Sequence, residues 1–439
     1  MDAPITYTFL FISLYFEVFM LVAFLDSRGH AAKAVAKSGE AVKAPYTPSV
    51  AIVVPCFNEG RTVAATIASL VKIDYPADKF EIIVVDDGST DDTLAVAKQF
   101  ENNNENNQAT WELNSQVEVK LPSEGSQVFH GPRVMVFHKE NGGKHTAMNF
   151  ALARTSSELI GCLDADSIVE PDALRKIADV FADQKVAAVT PGIHIKAPQN
   201  MLQLMQDAEY RLSVFNRFTL AALGSAFITP GPFSIFRAEI VREEGGWRHG
   251  HSTEDMEMAL RMQSAGYLIG NAPRAIVHTG TPRTIKALFR QRVRWTYGFL
   301  RNAVDYRHMF GNRSYGNLSI IILPTALASI GIAIYFFARI LYYGVQALSH
   351  MITRIQILGL SFHPSFNLFY IDTSAMWFLI YIAVVLVVGL ISLGTFIGSG
   401  KRMPPLGTPF FVLFYSFLVP LWLGTAVVRA VFKTGVRWR

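Results

Sequence analysis

Cysteine is nearly absent from the chain: 439 residues hold two, Cys56 and Cys162, each inside an apolar, strand-like run. That excludes a disulfide framework and fits a reducing compartment for this part of the chain. Charge is scarce as well, at 17% of residues against roughly 25% in an ordinary soluble domain. With 51% hydrophobic residues and a mean hydropathy of +0.26, this excludes disorder, a collagen and a coiled-coil rod. It also argues against a purely soluble protein. The charges that exist are balanced, 40 basic against 35 acidic for a net +5. An excess this small, spread out, fits basic flanks of membrane segments and not a nucleic-acid partner. No internal repeat is visible.

What the chain has instead is hydropathy concentrated at its two ends. Residues 5–25 are apolar except for Glu17, and a helix of that length, about 31 Å, matches the hydrocarbon thickness of a bilayer. The basic residues follow this run (Arg28, Lys33, Lys37, Lys43) and do not precede it, so residues 1–26 read as a retained anchor with the following side cytoplasmic. A second apolar region, 318–430, holds about three further spans at 318–338, 376–397 and 410–428. Three spans would put the C-terminus outside, whereas Arg429, Lys433, Arg437 and Arg439 argue for inside. Either another span lies within 343–371, or the last segment, with Pro420, does not cross simply; four spans in total is the expectation.

Between these ends, residues 45–313 read as a cytoplasmic domain. Val/Ile-rich runs at 50–54, 81–85, 133–137, 159–163 and 186–190 alternate with helical stretches such as 61–72 and 93–99. This predicts an α/β fold with a mostly parallel, Rossmann-like sheet, whose ligands bind beyond the carboxyl ends of the strands. The Asn-rich stretch 101–131 interrupts the rhythm and reads as a surface insertion or a hairpin.

Acids gather at the predicted strand ends. In IIVVDDGSTDDT, Asp86 and Asp87 follow a buried strand; taken alone, this is ordinary turn and cap chemistry. In LIGCLDADS, Asp164 and Asp166 stand two residues apart on an extended segment, and such a pair repels unless a cation neutralises it. Mg2+ or Mn2+ suits these ligands, bridging one or two carboxylates to a substrate phosphate. Thr253, Glu254 and Asp255 open an amphipathic helix, where acids favour the helix dipole or serve as a general base. RQRVRWTYG carries Gln291, Arg292, Arg294 and Trp295 just before the membrane, offering guanidinium groups for a diphosphate and an indole for a sugar ring.

VPCFNEG, DDGSTDDT, NGGKHTAMN, DAD, TED and QRVRW occur in this order between Val54 and Trp295. Together they resemble the inverting family-2 glycosyltransferases, in particular the processive membrane synthases. The resemblance implies a glycosyltransferase A-type domain with transmembrane and interfacial helices. It implies that Pro55, Asn58, Glu59, Asp86 and Asp87 cradle a uridine and that Lys144 lies near the nucleotide. Asp164 and Asp166 would hold the divalent cation on the diphosphate, and Asp255, beside Glu254, would deprotonate the acceptor. Gln291, Arg294 and Trp295 would meet the diphosphate and the acceptor sugar. One base opposite the leaving group gives a single displacement, so an α-linked donor would yield a β-linked product.

Two further stretches fit that resemblance. Residues 201–223 place Met201, Leu204, Met205, Ala208, Leu212, Phe215 and Phe218 on one helical face, as in a core helix or in an interfacial one whose Arg211 and Arg217 meet headgroups. A second interfacial helix is expected near 284–310. ITPGPFSIFR (228–237) resembles the acceptor-facing segment of the family, Gly231 permitting close backbone approach.

The expected partners are a UDP-sugar donor, a growing polysaccharide acceptor and the lipid bilayer, at the plasma membrane as a multi-pass protein. The resemblance admits a small membrane partner subunit. Size and layout favour N-acetylglucosamine; hyaluronan-, chitin- and cellulose-type products stay open. The alternatives are a non-processive transferase adding one sugar to a lipid and a catalytically silent membrane subunit.

Overall fold

The computed structural model describes residues 3–37, 46–102, 112–113, 119–120, 131–359 and 374–434. The five predicted strands are all present: β1 (Val50–Cys56), β2 (Phe80–Asp86), β5 (Arg133–His138), β6 (Leu159–Cys162) and β8 (Val186–Ile195). They join β7 (Ile168–Val169), β9 (Ile235–Arg237) and β10 (Leu268–Thr279) in one sheet of order β5-β2-β1-β6-β9-β8-β10-β7. The sheet is parallel except where β9 pairs antiparallel with β6 and β8, and β7 with β10. Within the Asn-rich stretch, β3 (Glu112–Leu113) and β4 (Val119–Lys120) pair antiparallel, the hairpin alternative; the rest of it lies outside the described residues.

The central strands β1 and β6 are apolar on every residue because both faces are covered. Val50, Ile52 and Val54 of β1 point into one core with α2 (Val63–Val71), α3 (Thr93–Lys98) and α5 (Ala173–Val180). Ala51 and Val53 point the other way, into a core with α4 (Lys144–Leu152), α7 (Ala238–Glu243) and α8 (Glu254–Ser264).

Four helical stretches are long and apolar enough to cross a membrane: Pro4–Arg28 within α1 (Ala3–Lys37), Leu318–Ile357 containing α10 (Leu323–Leu358), Ala375–Ser399 (α11) and Thr408–Val431. The last includes α12 (Thr408–Phe410), a π-helical turn at Phe411–Tyr415 and α13 (Ser416–Val431). Large apolar side chains face outward on them, such as Phe11 at 66% and Val385 at 70% exposure, as a lipid-facing surface requires. The expected count of four agrees. Residues 343–358 continue α10 and form no separate span, and 360–373 lie outside the described residues. Lys43, Arg437 and Arg439, used above to argue sidedness, also lie outside them.

The two helices expected at the interface form as α6 (Met201–Ala222) and α9 (Ile285–Asp305). α6 lies between the sheet and the long apolar helices: its Phe215 packs with Phe24 of α1 and Leu390 of α11. Gly394 of α11 sits so close to α6 that a Cβ there would stand 1.9 Å from the Arg211 carbonyl oxygen. The expectation that Arg211 and Arg217 face headgroups is therefore corrected. Arg211 turns inward to Asp207 (3.3 Å) and His194 (3.0 Å), and Arg217 donates to Ser213 (2.9 Å) with its Nε and Nη2 buried. The physical reason is the partner one turn back on the same helix, Asp207 for Arg211 and Ser213 for Arg217.

Candidate active site

The candidate residues converge beyond the carboxyl ends of β1, β2 and β6, where a doubly wound sheet opens. Asn58 sits in the left-handed region (φ 56°) directly after β1, a conformation asparagine tolerates. Its Oδ1 accepts from the Thr90 amide at 2.8 Å, and its own amide donates to Ser89 Oγ at 2.9 Å. Glu59 accepts from the Thr62 hydroxyl, while its amide donates to Thr93. Pro55 pairs with Val85 one residue before β1 ends, so the loops after β1 and β2 form one wall.

Asp86 and Asp87 are both buried. Asp86 lies 2.6 Å from His138 Nδ1, at the end of the neighbouring β5. Asp87 accepts from the amides of Gly142 (3.0 Å) and Gly143 (2.7 Å) and pairs with Lys139 at 2.5 Å. In this geometry Asp87 fixes the turn that launches α4, and so places Lys144, the first residue of that helix. Sequence reading missed the partners His138 and Lys139, although HK directly after a predicted strand was a signal.

Lys144 is the hub. Its Nζ lies 2.5 Å from Asp164 Oδ1 and 3.6 Å from Glu254 Oε1. Burial alone would lower the ammonium's pKa, but Asp164 and Glu254 outweigh it and hold it well above the ordinary lysine range. The 228–237 segment presses on this pair: a Cβ on Gly231 would stand 2.6 Å from Lys144 Nζ and 3.0 Å from Asp164 Oδ2. Only glycine leaves the ion pair where it is. The next carboxylate, Asp166, has the Ser167 hydroxyl at 3.2 Å and, among the described residues, no cationic side chain within ion-pair distance. Burial, then the nearby charges of Asp164 and Glu59, push its carboxyl up to about 6.

The crowding of Asp166 by Asp164 and Glu59 tests whether a divalent cation fits. No cluster of three or more His, Cys, Asp or Glu side chains able to hold a metal occurs among the described residues. Two carboxylates suit Mg2+ or Mn2+, which commonly keep substrate phosphates and water as their other ligands. A cation beside Asp166 would relieve the repulsion. The donor set fits.

Asp255 is the second residue of α8, and its carboxylate accepts its neighbour Met256's amide at 2.8 Å. Its carbonyl oxygen takes the Thr229 hydroxyl at 2.6 Å, tying α8 to the 228–237 segment. Burial and adjacent Glu254 push its carboxyl up to about 6, against the opposing pull of Lys144 and Arg294. The turn before it is strained, with His251 (φ 53°) and Ser252 (φ 67°) both left-handed. α9 clasps that turn with one face. Arg294 donates to the Ser252 carbonyl (3.3 Å), Asn302 to Thr253 Oγ1 (3.0 Å), and Asp305 meets His251 (2.7 Å). Asn302 and Asp305 were not singled out from sequence; their i+8 and i+11 spacing from Arg294 was the available signal.

On the other side of α9, Arg292 is buried and its guanidinium lies 4.2 Å from the Trp295 ring centroid. It donates to Gln291 Oε1 (2.8 Å) and pairs with Glu209 of α6 at 2.6 Å, and Tyr415 donates to the same Glu209 oxygen at 2.6 Å. Tyr415 belongs to the π-helical turn of the last apolar segment. One Arg–Glu–Tyr junction thus joins α6 and α9 to the last apolar segment and orients Gln291 and Trp295. Glu209→Ala should lower unfolding free energy by about 2 kcal/mol, a value reduced for the partial exposure of the carboxylate, and Tyr415→Phe by about 1 kcal/mol. Thermal unfolding of the detergent-solubilised protein measures both; equal, negligible losses would remove the junction's structural importance.

The two cysteines are buried and unpaired, with burial pushing the Cys162 thiol up to about 12, so neither is a nucleophile at neutral pH.

Comparison with known proteins follows the same lines. A protein described as poly-β-1,6-N-acetyl-D-glucosamine synthase from Staphylococcus epidermidis is 27% identical over 334 residues, 75% of this chain and 72% of that one. Its counterpart in Staphylococcus aureus (strain COL) is 28% identical over 252 residues, 57% of this chain and 54% of that protein, so the match spans about half of that relative's length. Among solved structures, a mannosyltransferase from Pyrobaculum calidifontis in complex with GDP-mannose and Mn2+ superposes over 97% of this chain and 99% of that one. Its TM-score is 0.50 at 17% identity, a likeness of fold. The profile of the family described as "Glycosyltransferase like family 2" matches residues 48–298, more than half of the chain, and the chain belongs to that family.

Proposed function

We propose that this glycosyltransferase is a membrane-embedded, processive synthase, with its catalytic domain on the cytoplasmic side of the plasma membrane. It takes a UDP-sugar, UDP-N-acetylglucosamine foremost, and extends a β-linked polysaccharide that leaves through its own membrane helices. The observation that carries this reading is the convergence of Asp164, Lys144, Glu254 and Asp255 in one electrostatic cluster, on elements tied to membrane helices through Arg292, Glu209 and Tyr415. The resemblance to the staphylococcal synthases supports the polymer and the sugar.

Each side chain then has a task. The wall made by Pro55, Asn58, Glu59 and Asp86 receives the uridine, with Asp87 holding the glycine turn beside it. Asp164 and Asp166 hold Mg2+ or Mn2+, which when bound neutralises charge developing on the diphosphate. Lys144, kept charged by its carboxylate neighbours, adds a second cation near the leaving group. Asp255 accepts the proton of the acceptor hydroxyl as the new bond forms on the opposite face, which gives inversion. Trp295, 37% exposed and stacked on Arg292, offers its free face to the acceptor sugar.

The test is a panel of radiolabelled UDP-sugars given to membranes holding the full chain, with products separated by length. A ladder from UDP-N-acetylglucosamine, cleaved by a β-specific hydrolase, is expected. A single addition to lipid would replace processivity with the non-processive reading, and no UDP release from any donor would overturn the enzyme.

A further inference from the structure

The structure assigns a second binding site, remote from the strand ends that carry the chemistry, to an anionic phospholipid of the leaflet that faces the catalytic domain. The site is a cavity of about 370 Å³ where α1, α6 and α11 meet β10 and α5. Its walls divide by chemistry. Phe24, Phe218 and Phe396 supply apolar surface, while Arg28, Arg274 and Asn271 supply the polar part.

Position identifies the bilayer as the source. Phe24 and Arg28 lie in the last turns of the apolar stretch Pro4–Arg28, and Phe396 in the last turn of Ala375–Ser399. Both helices thus deliver their ends to this cavity at the depth where hydrocarbon gives way to headgroups. Lys401 and Arg402 follow directly after the second helix, extending the basic margin on that side.

Charge complementarity identifies the ligand. Among the described residues neither Arg28 nor Arg274 has a carboxylate within ion-pair distance, and both are exposed. Arg28 lies 5.8 Å from the Phe24 ring centroid, which draws its guanidinium over the cavity wall. Lys176, also lining the cavity, is already committed to Asp172 at 2.6 Å. Two uncommitted guanidiniums at one mouth suit a phosphodiester, which each can grip through paired N–H donors. Asn271 spends its amide N–H groups inward on the Thr190 carbonyl and hydroxyl, which leaves the two guanidiniums as the charged groups for the ligand. The cavity holds a headgroup and the first carbons beyond it, and the acyl chains continue between the outward-facing apolar side chains of α1 and α11. The inference rests on the membrane embedding of these helices and not on the catalytic assignment.

The experiment uses the full-length protein in nanodiscs of phosphatidylcholine with graded phosphatidylglycerol. The readout is lipid retained per chain, counted by native mass spectrometry after transfer to detergent; it requires no catalysis. Wild-type protein should retain one phosphatidylglycerol. The double variant Arg28→Gln/Arg274→Gln, altered at two exposed positions and so expected to fold, should hold it roughly thirtyfold more weakly. Arg402→Gln, outside the cavity, should retain it as wild type does. Equal retention by the double variant, or equal loss in Arg402→Gln, would overturn the site. Displacement of the lipid by millimolar inorganic phosphate would reassign it to a soluble anion and overturn the lipid. A UDP-release measurement alongside keeps failure of this site distinct from failure of the enzymatic reading.

Discussion

Asp255→Asn should abolish sugar transfer, lowering turnover by on the order of a thousandfold, while leaving UDP binding nearly unchanged. The amide keeps the size of the carboxylate and its bond from Met256 but has no affinity for a proton. The affinity of UDP, measured by calorimetry, separates this role from a binding one, because loss of UDP affinity would mean that Asp255 contacts the nucleotide. The native pH profile carries the same signature. Burial and Glu254 push the Asp255 carboxyl up to about 6, and a base works only when deprotonated. The acid limb of kcat/KM should therefore fall roughly tenfold per pH unit below about 6. Stability moves in the opposite direction. A carboxyl whose pKa is higher in the folded state than in the unfolded chain is best tolerated at low pH, and its contribution is lost as pH rises through about 6. At pH 7.5 Asp255→Asn should therefore melt no lower than the native protein, and that margin should shrink as the pH drops below about 6. An inactive variant that is also less stable would point to misfolding in place of a missing base.

Much of this site was legible before any coordinates, for a physical reason. Strands buried on both faces are mostly apolar, so acids at their carboxyl ends stand out: Asp86 as the last residue of β2 with Asp87 after it, and Asp164 and Asp166 after β6, lie where the alternating pattern placed them. Local spacing is silent about partners. Nothing in DDG announces that Asp87 is engaged by Lys139 and two glycine amides from a loop 52 to 56 residues later. Helix periodicity likewise showed that α6 has one apolar face but not that its opposite face is also covered. The alternative with Arg211 and Arg217 at headgroups stayed open for that reason, although Asp207 and Ser213, four residues before each, were the local sign of inward pairing. The Arg292–Glu209–Tyr415 junction draws its members from three separate helices, and only the assembled fold brings them within reach.

Asp166→Ala and Asp164→Asn should separate two roles that a DxD pair combines. Asp166 has a hydroxyl neighbour and the repulsion of Asp164 and Glu59, so removing its charge relieves strain in the protein while deleting a proposed ligand of the cation. The expected result is a loss of Mn2+ affinity on the order of a hundredfold or more, with thermal stability unchanged or slightly raised. Asp164 differs because it is also the nearer partner of buried Lys144, at 2.5 Å against 3.6 Å for Glu254. Asp164→Asn leaves that ammonium underneutralised. It should cost stability as well as metal, by about 2 kcal/mol once the one-third exposure of Asp164 is allowed for. Proton competition supplies an independent check. With Asp166 titrating near 6 in the free protein, native Mn2+ affinity should weaken as pH falls below that value, and in Asp166→Ala this dependence should flatten. Mn2+ titrations of UDP binding at pH 5.5 and 7.5, run beside thermal melts, read all of these quantities. Unchanged metal affinity in Asp166→Ala would remove that carboxylate from the cation, and an unaltered melt in Asp164→Asn would show that Lys144 does not depend on it.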